Sequence, residues 1–439
     1  MYLHYITIIV LIVVFLLLYF LKRKDLNFGG RVLIAMFLGI LAGAIFKKDV
    51  LIIEPIGKIF IGLIKMLVIP LVMSSLISNV TSLNNTTQLR KIGVKTFLLL
   101  LLTTGIASVI GIFTANIMNL GVGVKFAEST SFEAKEILAF SKVLLDMIPL
   151  NPISSMANGQ VIPIIIFCLF IAIAIIIESE KNPRAIKPFK DFIDSFAKIM
   201  FSLTQIIIEL APYGVFSLMA SVAAKNGIST LLPLAKFIVA IYVACTIHIL
   251  ATHGSLLMFV GKVNPIKFFK KLYPAQVVAF TTQSSYGTLP VTLKVLTERV
   301  KISEKIASFG ASIGTTVGLN GCGGIYPALV AIFIARMFNI DFTLNHYLIL
   351  VLTNIISSIG IAGVPGAATM ATTVVLANLG LPVEGLAMVL GIDVVIDMAR
   401  TMTNVTGASV VSFLVANFEN EFDREAFNKD DKTITSAKI

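Results

Sequence analysis

Asp393, Asp397, Arg400 and Asn404 fall at i, i+4, i+7 and i+11 of a stretch that is otherwise almost wholly apolar or small. On a helix the four lie within about 60° of one another on one face, with Thr401 just beside them. A charged side chain near the centre of a bilayer costs at least about 3 kcal/mol, so three in one stripe need partners or a task. One reading is structural: Asp397 and Arg400 are an i,i+3 pair that can lock a helix to its neighbours. The other is chemical. Two carboxylates against one guanidinium leave a surplus negative charge that suits a ligand's ammonium, and the guanidinium offers a two-pronged fork to a carboxylate. The stripe has the makings of a cradle for a zwitterion. A proton-sharing aspartyl pair is disfavoured, because Arg400 would hold both acids ionised. The chain is not read as an enzyme.

Such a stripe needs a membrane around it. Of the 439 residues, 57% are hydrophobic and 13% charged, and the mean hydropathy is +0.94. A soluble chain of this size carries far more polar surface. Apolar runs at about 5–21, 30–46, 53–81, 93–119, 161–178, 191–222 and 230–260 can each cross roughly 30 Å of hydrocarbon as helices. The first is read as retained, since no small-residue cleavage site follows it. The net charge of +11 comes largely from Lys and Arg gathered in short loops, at 22–24, 90–91, 181–190, 262–271 and 294–305. That pattern orients a polytopic chain and is not a nucleic-acid footprint. With those loops inside, the chain starts outside. Residues 122–160, with turn signals at Asn151-Pro152 and Asn158-Gly159, read as an outer excursion, and the charged tail from Asn417 as solvated and flexible. Cys168, Cys245 and Cys322 lie far apart without CxxC spacing. The histidines, His4, His248, His253 and His346, form no metal-ligand pattern; His248 and His253 are five apart, off the i,i+4 spacing.

Beyond about residue 264 the apolar chain is punctuated by Gly, Pro, Ser and Asn. Thr281-Thr282-Gln283-Ser284-Ser285-Tyr286-Gly287-Thr288-Leu289-Pro290 is a polar turn between apolar arms. Gly318-Leu319-Asn320-Gly321-Cys322-Gly323-Gly324 unwinds a helix that starts near Ser303. Gly360-Ile361-Ala362-Gly363-Val364-Pro365-Gly366-Ala367-Ala368 is a second turn between apolar arms, and the acid–base stripe comes last. The order is turn, broken helix, turn, polar helix, a weak twofold repeat in which Ile302-Ser303-Glu304 and Pro382-Val383-Glu384 open the full helices alike. Backbone freed inside hydrocarbon must be satisfied by protein or a wet cavity, so paired interruptions point to a transporter core with its ligand near the midplane.

These motifs resemble the dicarboxylate/amino-acid:cation symporter family, which includes the glutamate transporter homologues. The resemblance runs from about residue 30 and is strongest in 281–292, 314–327, 358–368 and 391–407, above all in Gly391-Ile392-Asp393 with Asp397-Met398-Ala399-Arg400-Thr401-Met402-Thr403-Asn404-Val405-Thr406-Gly407. Thr282-Gln283-Ser284-Ser285, the 318–327 segment and the extra N-terminal helix look most like the bacterial L-cystine uptake branch. The resemblance implies an all-α polytopic protein of the bacterial inner membrane, with about eight core transmembrane helices, an extra N-terminal helix, two re-entrant helical hairpins and inverted repeats. It implies a homotrimer, with the N-terminal helix in 1–28, mainly scaffold in 29–260 (93–119 belonging to the mobile part), a transport core in 261–417 and a charged cytoplasmic tail in 418–439. Substrate and cation would move together by an elevator-like shift, with the second hairpin as gate.

Carried over by position, Asp397 would bind an α-ammonium and Arg400 a distal carboxylate. Asn404, Ser285 and the hairpin tips at Gln283, Ala362 and Gly363 would hold the α-carboxylate, with Ser284, Asp393 and Thr401 beside them. Cys322 stands where acidic-substrate members have Thr, and with Gly323 and Gly324 it is expected either to widen the pocket for a long substrate or to be a small packing residue. For the coupling ion, sodium or a proton, a backbone-carbonyl site from Thr316, Leu319, Ser358, Ile359 and Ile361 is retained. Around Gly314, Gly318, Asn320, Thr103 and Thr104 the family's other sodium ligands are depleted, because Ala408, Asn320 and Leu100 replace two Asp and a Tyr. Cations there would lack charge compensation. No organic cofactor is expected; the partners are an amino acid and membrane lipid. Uptake of L-cystine or a related amino acid is the leading expectation, a C4 or C5 dicarboxylic amino acid the rival, and an amino-acid-gated anion channel a third.

Overall fold

A computed structural model describes residues 2–24, 26, 28–81, 87–124, 145, 148–226, 231–361, 363 and 366–429. Among them the fold is helical, and the one β feature is an isolated bridge between Ile302 and Phe422. The N-terminal half holds α1 (Tyr2–Arg23), α2 (Phe28–Phe46), α3 (Glu54–Thr81), α4 (Thr87–Ile117), α5 (Val161–Lys181), α6 (Pro183–Ile208), α7 (Ala211–Asn226) and α8 (Leu231–Ile247). Four helical stretches, five if a bent pair counts as one span, are long and apolar enough to cross a membrane among the described residues. The sequence predicts one helix over 191–222; the structure has α6 and α7 bent by 49° across Glu209–Leu210. Pro212 accounts for the break, since its ring opposes the carbonyl four residues back and it has no N–H to offer. Most of the 122–160 excursion lies outside the described residues, but Asn151 caps a short helix at Pro152–Ala157 and Gly159 turns at φ +69°.

α2 packs along α7 through two small residues one turn apart. A Cβ on Gly39 would sit 2.6 Å from the Phe216 carbonyl, and one on Gly43 would strike that of Ala220. Small residues at this spacing let two backbones approach where lipid gives no hydrophobic drive to pair helices. At one end of the contact Arg31 (3.3 Å) and Lys22 (3.0 Å) both pair with Glu209.

The C-terminal half holds α9 (Pro265–Thr282), α10 (Ser285–Lys294), α11 (Glu304–Ile313), α12 (Tyr326–Met337), α13 (Leu344–Ser357), α14 (Ala367–Asn378), α15 (Asp393–Phe418) and α16 (Arg424–Asn428). Each break has its device. Asn264 caps α9, Ser284 caps α10 and Ser303 caps α11. The predicted unwinding after Ser303 is present: α11 ends at Gly314, Gly318 takes φ +64°, and a π-helical turn at Asn320–Ile325 leads into α12. The second full helix differs from expectation. After Leu386–Leu390 the chain turns at Gly391 and Ile392, so the acid–base stripe begins at a helix start.

The tail also departs from the expected flexible segment, as far as Lys429. Asp423 donates its N–H to the Lys301 carbonyl (3.0 Å), and Ser303 donates its own to that of Glu421 (3.0 Å). Arg424 reaches the carbonyls of Lys262 (2.6 Å) and Gly261 (3.1 Å). Phe427 is fully buried in one core with Phe268 and Phe413, under the Lys271 ammonium. Charge made this stretch read as solvated, but Arg424 serves loop carbonyls and the aromatics anchor it. Residues 430–439 lie outside the described part.

Candidate functional site

α15 puts the stripe on one buried face, as the spacing predicts: Asp393, Asp397, Arg400, Thr401 and Asn404 are all buried. Asp393 is the first residue of the helix, where unpaired N–H groups and the helix dipole favour a carboxylate. Arg400 Nη2 lies 2.7 Å from Asp393 Oδ1 and 3.0 Å from Asp397 Oδ1. The internal ion pair is therefore real, but a single nitrogen makes it. Nε and Nη1 are buried with no hydrogen-bond partner. The guanidinium lies over Tyr326, with its carbon 4.1 Å from the ring centroid, a contact that steadies the fork without consuming its N–H groups. Thr401 Oγ1 donates to Asp397 Oδ1 at 3.4 Å.

The broken segment closes against this row. A Cβ on Gly321 would stand 2.5 Å from the Arg400 carbonyl, so only glycine allows the π-turn to sit there. Asn404 Oδ1 accepts the N–H of Gly321 (2.8 Å) and of Cys322 (3.3 Å), and its Nδ2 donates to Cys322 Sγ (3.0 Å). Asn404 thus holds the π-turn through both ends of its amide. Cys322 Sγ is 3.8 Å from Asp397 Oδ1, beside the acid.

The two turns meet each other. Gln283 ends α9 in the left-handed region at φ 56°. Ser284 Oγ accepts the Gly287 N–H (3.0 Å) and donates to the Gly363 carbonyl (3.2 Å), which also takes the Tyr286 N–H (3.2 Å). Ser284 is committed to that junction. Buried Ser285 packs on Gly363, and a Cβ on Gly363 would strike the Thr315 carbonyl of the broken segment. Ala362 lies outside the described residues.

Of the residues expected at a carbonyl cation site, two elements join directly. Gly318 donates its N–H to the Ser358 carbonyl (3.0 Å), and a Cβ on Gly323 would meet Ser358 (2.7 Å) and Ile361 (2.9 Å). Thr316, Leu319 and Ile359 are buried, and the Leu319 carbonyl accepts the Gly323 N–H at 2.6 Å. Around the depleted positions the space is filled. Ala408 presses on Gly314, and Leu100 stands 2.6 Å from where a Gly318 Cβ would be. Asn320 Nδ2 donates to Thr103 Oγ1 (3.0 Å), Thr104 Oγ1 (3.1 Å) and the Gly318 carbonyl (3.2 Å), turning a donor toward the oxygens a cation would need.

Sequence reasoning passed over His248 and His253 because five is not an α-helical spacing. Here α8 continues as π-helix over His248–His253, and the two rings come to 4.5 Å between centroids. A spacing of five is the i,i+5 signature of that rarer turn.

Residues 28–418 match the sodium:dicarboxylate symporter family. An L-cystine uptake protein of Bacillus cereus is 34% identical, the match covering 97% of this chain and 97% of that one. A proton/sodium-glutamate symport protein of Bacillus caldotenax is 34% identical, over 92% of this chain and 97% of its own. An uncharacterized symporter of Haemophilus influenzae is also 34% identical, over the same shares.

Proposed function

Because the chain belongs to the sodium:dicarboxylate symporter family, and so is a multi-pass membrane transporter and not an enzyme, we propose that it takes up L-cystine with a coupled cation. The observation that carries this reading is the Arg400 guanidinium, fully buried between two carboxylates with two nitrogens unspent. A buried donor left without a partner costs about 1–3 kcal/mol, and more when charged, a cost that a bound carboxylate removes. The ammonium goes to Asp397, and the free fork takes a carboxylate. Cystine carries such groups at both ends of a long molecule, and Cys322 with two glycines after it leaves a small-residue wall beside Asp397.

The cation sits at the carbonyls of Thr316, Leu319, Ser358, Ile359 and Ile361 when it is sodium; the Asn320 cluster takes none, being hydrogen-bonded shut. The scaffold, homotrimer, inverted repeats, re-entrant hairpins and elevator movement in a bacterial inner membrane belong to the same proposal, with the Ser284–Gly363 junction as the gate that parts. A second reading, uptake of glutamate or aspartate, is favoured by the same free fork, which fits a distal side-chain carboxylate equally well. Purified protein in liposomes decides between them. Labelled cystine should accumulate and be displaced by cystathionine or diaminopimelate more than by aspartate. Displacement by aspartate alone selects the rival, and equilibration without accumulation selects a channel. Three sodium ions per substrate would contradict the depleted cation positions.

A further inference from the structure

Away from the cradle, the densest group of unspent buried polar atoms lies where the π-helical end of α8 passes behind the broken segment. His248 and His253 are both fully buried. None of their four ring nitrogens makes a hydrogen bond of good geometry, and neither does Asn320 Oδ1, although the Asn320 side chain stands beside both rings. A Cβ on Gly407 would strike Asn320 Oδ1 and lie 3.3 Å from His253 Nε2, so these two atoms flank one point beside α15. π-Helical turns cost regular hydrogen bonding and are found mostly where function needs them. Here the turn's product is one ring set edge-on to another.

We propose that His248 and His253 together bind the one proton that crosses with the substrate; this rests on the symport reading above. One ring, as imidazolium, donates an N–H to the bare nitrogen of its neighbour, and the outer N–H is accepted by Asn320 Oδ1. On release the proton leaves to water and two neutral rings remain. Only one proton fits, since two imidazolium rings in contact would repel each other without relief. Charge supports the count. Asp393, Asp397 and Arg400 sum to minus one, a zwitterion adds nothing, and one bound proton makes the loaded core neutral, the cheapest state to move through a bilayer.

Among the described residues the surroundings offer the pair no other titratable partner. From the broken segment Asn320 faces it, and from α15 the backbone at Gly407. From α4, Thr103 and Thr104 reach it only through the Asn320 amide. On α8 itself, Cys245 turns to Thr403 and Arg400 instead. Among the described residues no carboxylate or ammonium faces either ring. Asn320 adjoins Gly321, which Asn404 holds, so occupancy of the rings is felt at the substrate row.

The test uses full-length protein in sodium-free liposomes, comparing the unchanged chain with His248→Gln, His253→Gln and the double variant. An inward proton gradient should drive cystine accumulation, and the double variant should lose about tenfold of it while keeping cystine exchange at equal pH. Equal proton-driven accumulation in the double variant overturns the proposal. So does accumulation that responds to sodium alone. Independently, ¹⁵N-histidine spectra of the unchanged protein, with only four histidines assigned through the single variants, should show the pair taking up one proton between about pH 8 and pH 5. Both rings staying neutral over that range with cystine present also overturns it. If no gradient drives any uptake, the symport reading fails, and the ring spectra still decide the proton site.

Discussion

Helix α5 and the stretch formed by the π-turn and helix α12 are both apolar and long enough to span a membrane, yet their surroundings differ. In the window Pro163–Lys181 only 28% of residues are buried by protein, whereas in Asn320–Met337 the figure is 94%. The first leaves most of its side chains uncovered by its own chain and can be read by hydropathy alone. The second is walled by other helices, which is why it can begin with a π-turn and carry Asn320, Gly321 and Cys322 inside an apolar protein. Irregular backbone is tolerated at membrane depth only where protein or water satisfies it. The inner helices surround the polar groups with protein.

The largest effect expected of any change in the inner region is that of Arg400→Ala. Two buried carboxylates would lose their common partner, a loss of about 3–5 kcal/mol, and uptake of substrates with a distal carboxylate should vanish in liposomes. Retained cystine uptake would remove Arg400 from the site. Next comes Phe427→Ala, at about 3 kcal/mol of stability, read as a lowered melting point in detergent; a chain ending at Phe418 should fare worse. A tail that can be cut at 418 without effect would put the clasp outside the core. On the outer side, Gly43→Leu should cost about 2 kcal/mol through overpacking on Ala220, with substrate affinity unchanged in the folded fraction. A shift in affinity there would blur the division between the two regions. Smallest is Cys322→Thr, which should favour aspartate over cystine by about fivefold in competition, with little change in stability.

The stripe on α15 was legible because its chemistry and its helical period coincide in one short segment. The breaks at 283–285 and 318–324 were legible too, since Gly, Ser and Asn clustered in an apolar run do not suit an unbroken membrane helix. What escaped the sequence depends on contacts distant in the chain. The bend at Glu209 looked like a continuous apolar helix, because hydropathy does not register one proline's missing N–H. The 419–429 segment looked solvated, because Arg424 serves carbonyls at 261–262 and the Asp423 N–H that of Lys301, contacts that nothing local reveals. Asn404's commitment to Gly321 and Cys322 shows only once the π-turn is placed against α15. The histidine pair was hidden by an assumption of 3.6 residues per turn.

The clasp around Phe427 also fixes an order of events during synthesis. The loops at 261–262 and 301–303 emerge from the ribosome more than a hundred residues before Asp423 and Arg424 can reach them. Until then the segment from α9 to α11 lacks these ties at its base. Closure of this half therefore waits on residues 419–429, made long after the loops they tie, and a polypeptide cut short before them is left with those loops untied.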